Sequence, residues 1–413
     1  MVRPVAVRTR KRDTTALVAG SAVSGLLAYV LFAVTTRALG PHEAAPVSVL
    51  WSYWSLAGAA FTFPLQHWIA RSVTVHGEGT VRRALPRLWL VMVGASSVMG
   101  GLAWLGRELL FHRDDPWFPL LVAVLTLGSG LMGMVRGGLS ARRRFVGLAW
   151  SFVAENGVRA VAVGALALAA VDSAVPYGVA LVAGHLVAFL WSGSLHFGRQ
   201  RVSKGAGPFA FLTGAGLAQL LAQIVLTGGP VVLALAGGSP AEVTALFAAL
   251  ALFRAPYILA LGLVSQLTGL VTGMVVAGQF AQVRRIQRRI VATTVVFLAL
   301  AGIGGASVGP GLLRLIFGDD VGFAPGQSAV VAMASTLAVA NLVVMISALA
   351  LSRPRAVAAS WAVAVLAGAV GIVAPSPLSP PAQAVWCFLL AEAVAFTCLC
   401  ASGVRRIDAP AAR

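Results

Sequence analysis

The chain has 413 residues, of which 59% are hydrophobic and only 11% charged, and its formal net charge is +18. A soluble domain carries about a quarter charged residues, so this composition excludes a soluble enzyme or binding module and requires an integral membrane protein. The positive charge is dispersed between apolar stretches rather than gathered in one basic segment, which argues against nucleic acid as a partner.

A membrane span needs about 20 predominantly apolar residues. Residues 1–13 form a basic tail (Arg3, Arg8, Arg10, Lys11, Arg12). The apolar run that follows is long enough to span and has no small-residue cleavage site after a short core, so it reads as a retained first helix. In chain order the pattern predicts twelve spans, at 15–37, 46–70, 88–106, 117–139, 148–170, 177–197, 209–236, 243–276, 290–309, 326–352, 356–374 and 383–403. Turn formers separate them at Gly40-Pro41, Asp114-Asp115-Pro116, Gly237 to Pro240 and Pro375 to Pro381. The two termini and the loops around Arg71–Arg87, Arg142–Arg144, Arg199–Lys204, Arg284–Arg289 and Arg353–Arg355 hold 24 of the 31 basic residues. Cytoplasmic loops retain Lys and Arg. The alternation therefore predicts an all-α, multi-pass plasma-membrane protein with both termini cytoplasmic.

An internal repeat divides the chain. Gly20 to Ala28 reads GSAVSGLLA and Gly214 to Ala222 reads GAGLAQLLA; Pro41-His42-Glu43 parallels Pro240-Ala241-Glu242, and Val81-Arg82-Arg83 parallels Val283-Arg284-Arg285. The expected organisation is an N-lobe at 14–197, a cytoplasmic linker at 198–208, a C-lobe at 209–403 and a cytoplasmic tail at 404–413. Two six-helix repeats of the same orientation suit a transporter whose path runs between them.

Charges at bilayer depth are costly and are candidates for function. Only Glu155 and Glu392 are acids within predicted helices, and each is a candidate coupling acid. Glu155 and Arg159 share a helix face at i, i+4, spacing that suits a local ion pair; the alternative sets the pair on a cavity wall with Arg159 free to meet an anion. Arg254 precedes Pro256, which frees a backbone carbonyl, and no acid lies near it in sequence. Arg37, Arg71, Arg159 and Arg254 are the candidate anion contacts. Gln66, Glu155, Asn156, Gln219, Gln223 and Gln266 are the candidate polar lining, although such amides also bond neighbouring helices. No catalytic or metal-ligating constellation and no cofactor motif is present, so the chain does not read as an enzyme.

The first hundred residues carry Ala19-Gly20-Ser21-Ala22-Val23-Ser24-Gly25, then Thr36-Arg37-Ala38-Leu39-Gly40-Pro41, then an aromatic second helix with Pro64-Leu65-Gln66. This resembles the Wzx-type polysaccharide-biosynthesis flippases, in the superfamily that also holds MurJ-like lipid II flippases and MATE drug exporters. The resemblance implies alternating access for a polyprenyl-diphosphate-linked oligosaccharide, membrane lipid as partner, and glycosyltransferases and a polymerase as neighbours in the same process. It also implies that arginines such as Arg37 meet the diphosphate. Twelve spans leave no room for the two extra helices of MurJ-like proteins, which argues against lipid II as cargo. The main alternative is a MATE-like cation-coupled exporter. A major-facilitator transporter ranks lower, because the centre of the chain lacks a long loop, and a non-transporting scaffold for glycan synthesis stands in a different class.

Overall fold

A computed structural model describes residues 11–198, 217–350 and 353–404. Residues 1–10 and 405–413 of the basic tails, the loop holding Arg199 to Lys204, most of the predicted linker and the first residues of the predicted 209–236 span lie outside the described residues, while the last three residues of the predicted N-terminal tail already belong to a helix. No strand occurs among those described.

The first half opens with α1 (Lys11–Glu43), broken near its end at Gly40, whose φ of 69° a side-chain-bearing residue adopts only at a cost. Next come α2 (Ala45–Ala57), one π-helical turn (Gly58–Thr62) and α3 (Phe63–His76). The backbone stays right-handed through the π turn, so this is one long helix with a bulge. There follow α4 (Glu78–Leu105), the short α5 (Arg107–Phe111), α6 (Trp117–Ala141), α7 (Phe145–Leu168), and α8 (Ala174–Ala183) continuing as a 3₁₀ segment (Gly184–Leu195).

The second half has α9 (Leu217–Thr227) and α10 (Gly229–Leu235), bent by 64° where Gly228, Gly229 and Pro230 interrupt the helix. Then come α11 (Pro240–Phe253), α12 (Ala255–Val276), α13 (Phe280–Ser307), α14 (Gly309–Phe317), α15 (Pro325–Ala350), α16 (Pro354–Val373) and α17 (Pro380–Val404). A capping box at Ser239 and Glu242 starts α11.

The order of elements recurs between halves. Glu78 opens α4 and Phe280, 202 residues later, opens α13; each helix has 28 residues, and each is followed by a short helix. Both begin about ten residues before the apolar run predicted from sequence, because basic turns (Arg82, Arg83, Arg87; Arg284, Arg285, Arg288, Arg289) continue the helix beyond the apolar stretch. Among the described residues nine helices are long and apolar enough to cross a membrane, or ten if α9 and α10 make one broken span. Of the twelve predicted spans, 46–70 falls on the π-interrupted helix and 243–276 on the successive pair α11 and α12.

The loops sort to two ends. At the basic end, Arg142 lies 3.5 Å from Glu78 and donates to Gly193 O at 3.1 Å and to His196 O, while the Gly198 amide donates to Glu78 at 2.6 Å. Arg353 donates to Ser402 O in the second half. At the other end bonds cross between halves. Thr244 Oγ1 donates to Pro41 O at 2.6 Å, His112 Nε2 is 3.0 Å from Gly238 O, and Arg37 reaches the last turn of α14. Just below, Phe32 packs on Phe247 and Phe317 with ring centres 4.3 and 5.4 Å apart, and on Trp51 at 5.9 Å.

Candidate functional site

Helix packing brings α6, α7 and the 3₁₀ segment together inside the first half, and there an ionic cluster forms. Glu155 accepts from Arg136 of α6 at 2.5 Å and is paired with Arg159 at 2.7 Å. Arg136 also donates to Ser151 Oγ at 3.2 Å and lies over Phe152, its guanidinium carbon 4.1 Å from the ring centre. Arg159 is fully buried: Nε donates to Leu181 O at 2.6 Å, Nη1 to Asn156 Oδ1 at 3.0 Å, and the guanidinium stacks 4.3 Å from the Trp54 ring centre. Asn156 in turn donates to Ser24 Oγ of α1 at 2.8 Å. His185 Nδ1 faces Val182 O at 3.0 Å, which makes it the protonated nitrogen; Nε2 lies 3.4 Å from Ser129 Oγ and 3.8 Å from Glu155.

Burial of two guanidiniums around one carboxylate requires close partners, since an unpaired buried charge costs several kcal/mol; Arg159 Nη2 is met by its ion pair with Glu155 alone. Glycine makes room for it: a Cβ on Gly184 would stand 2.3 Å from Arg159 Nε. The i, i+4 ion pair is present, and Arg136 joins it, so that two guanidiniums share one carboxylate. Sequence reasoning grouped Glu155, Asn156 and Arg159 but left out Arg136 and His185. The available signal was elimination, since a mid-helix arginine needs a carboxylate and the predicted helices offer only two.

The second half has its own buried acid. Glu392 of α17 and Asn341 of α15 are both fully buried, and Asn341 Nδ2 donates to Glu392 Oε2 at 2.7 Å and to its carbonyl at 2.9 Å. Glu392 Oε1, Asn341 Oδ1 and the Trp361 indole nitrogen have no hydrogen-bond partner among the described residues. A hole of about 10 Å³ between Glu392, Tyr257, Trp361, Ala222 and Leu342 adjoins them, room for one water.

The other candidates are dispersed. Arg254, half-buried between α11 and α12, donates to Leu250 O at 3.1 Å and makes no ion pair among the described residues. Arg37 is exposed and clamps the two halves, donating to Ile316 O at 2.8 Å and to Leu315 O. Arg71 is exposed on α3, away from the seam contacts. Gln66 reaches Ser140 Oγ at 3.5 Å within the first half. Gln219 and Gln223 are half-buried on α9, a helix that packs against both α2 and α16. The Gln266 side chain lies outside the described residues. The sequence candidates are thus not one site: Glu155, Asn156 and Arg159 meet, whereas Arg37, Arg254, Gln219 and Gln223 lie on elements along the seam.

With this geometry, solved structures of similar shape decide the fold. An inward-facing multidrug resistance MATE family transporter of the MOP superfamily superposes with a TM-score of 0.67 at 13% identity, covering 93% of this chain and 94% of that one. The fold is that of MOP-superfamily transporters. An outward-facing multidrug resistance MATE transporter gives 0.60 at 12% identity, with 96% of both chains covered. Lipid II flippase MurJ, in an inward closed conformation, gives 0.59 at 11% identity, covering 94% of this chain and 86% of that one. No protein-family profile and no curated protein sequence matches the chain. Identities this low establish the fold alone.

Proposed function

We propose that this chain is a flippase that moves a polyprenyl-diphosphate-linked oligosaccharide from the inner to the outer leaflet by alternating access, for export of cell-surface polysaccharide. The observation that carries this reading is the sign of the unbalanced charge. Arg136 and Arg159 share a single carboxylate, and Arg254, between two helices that pack on α1, has none among the described residues. A diphosphate is anionic and matches the guanidinium fork, whereas a cationic drug would be repelled. The cross-seam bonds of Arg37, Pro41 and His112, gathered at the end away from the basic loops, support a state closed outside and open toward the cytoplasm. Glycosyltransferases would supply the cargo and a polymerase would consume it.

The test uses purified protein in vesicles loaded with a fluorescent polyprenyl-diphosphate oligosaccharide. Arg254→Ala is expected to slow transbilayer movement by about tenfold or more, the loss of one charge-assisted contact, and Arg254→Lys to restore part of it. The second reading, a MATE-like exporter, is favoured by Glu392, a buried acid with no basic partner among the described residues and hence a candidate to bind a coupling proton. Proton-dependent export of a cationic drug that Arg254→Ala leaves intact and Glu392→Gln or Glu155→Gln abolishes would replace the flippase.

A further inference from the structure

A second basic feature lies away from the seam, at the basic end of the first half. The turn between α6 and α7 and the 3₁₀ segment enclose an open cavity of about 360 Å³, lined by Arg143, Arg144, Phe145, Val146, Gly147 and Trp191 among others. Arg143 and Arg144 are exposed and make no ion pair or hydrogen bond through their side chains among the described residues, in contrast to the neighbouring Arg142, which is bound to Glu78, Gly193 and His196. The Trp191 indole nitrogen lies 3.6 Å from where a Cβ on Gly147 would stand and makes no hydrogen bond among the described residues. Two spare guanidiniums and an indole N–H therefore line one cavity.

Apolar surface adjoins it. Val146 lines the cavity and is 38% exposed; Trp150, one turn along on the same face of α7, is 60% exposed. An anion held by the arginines would have an apolar track beside it, which a soluble anion does not use and an acyl chain does. Basic pockets between membrane helices near the headgroup level suit anionic lipids, and tryptophan suits the same depth. The geometry points to a binding site for the phosphate headgroup of an anionic phospholipid at Arg143, Arg144 and Trp191, separate from the transport path.

Native mass spectrometry of the delipidated full chain tests this with phosphatidylglycerol and phosphatidylcholine of identical acyl chains, and with inorganic phosphate. Phosphatidylglycerol is expected to bind about tenfold or more tightly than phosphatidylcholine. Arg143→Gly with Arg144→Gln should remove that preference. Gly147→Leu, which fills the cavity while keeping both charges, should weaken binding as well. Arg82→Gln with Arg83→Gln, an exposed basic pair outside the cavity, should change nothing. Thermal unfolding of each variant confirms that it is folded. Equal binding of the two lipids, an equal effect of the Arg82 and Arg83 pair, or full competition by inorganic phosphate would each overturn the proposal.

Discussion

At the residue scale, Glu155 shows how a buried charge is made tolerable. Two guanidiniums, from α6 and from its own helix, meet its two oxygens. Replacing it by Gln leaves two buried cations without a counter-charge, so Glu155→Gln is expected to cost about 3–5 kcal/mol, read as a large drop in Tm of the purified protein. Glu392→Gln is the contrast: the new amide oxygen still accepts from Asn341, so the cost should stay near or below ~1 kcal/mol while any ion coupling is lost. Equal destabilisation by the two variants would show that the first-half cluster is not the more highly charged one. The half of this cluster on α7 was legible from i, i+4 spacing. Arg136 was not, because it sits 19 residues away on another helix and only packing sets which face it turns.

At the scale of elements, the seam rests on α1 meeting α11 and α14 through Phe32. Phe32→Ala removes a ring enclosed by Trp51, Phe247 and Phe317 and should cost about 3 kcal/mol. If the outer contact is what holds the lobes closed, the same variant should raise labelling of a cysteine placed at Val34 by a water-soluble maleimide. The end of α6 is a second local case. Arg144 N bonds Leu139 O at 2.9 Å, Arg143 N bonds Ser140 O at 3.0 Å, and Arg143 carries φ 56°. That is the helix-ending position glycine usually fills. Arg143→Gly is expected to stabilise by about 1 kcal/mol, measured by thermal unfolding, so the arginine there is a stability cost that the lipid site would explain. None of this was readable from the apolar runs, which also misplaced the starts of α4 and α13: hydropathy marks where lipid begins, whereas the backbone hydrogen bonds of a helix continue into its basic first turns.

For the whole molecule, the sorting of loops to two ends yields a topology test. In a chain with Cys387, Cys398 and Cys400 replaced by Ser, Asp115→Cys is expected to react with an impermeant maleimide on intact cells, and Arg143→Cys only after permeabilisation. The reverse pattern would invert the assigned orientation, and the direction of transport with it. By itself the sequence determined class and the alternation of loops, because partition into lipid and retention of arginine depend on local composition alone. Only the tertiary structure decided which charges meet, that Arg37 ties the halves together, that Arg254 has no acid among the described residues, and that the Arg143–Arg144 turn borders a cavity. Those outcomes depend on how helices rotate and cross, which side-chain packing between residues distant in sequence sets.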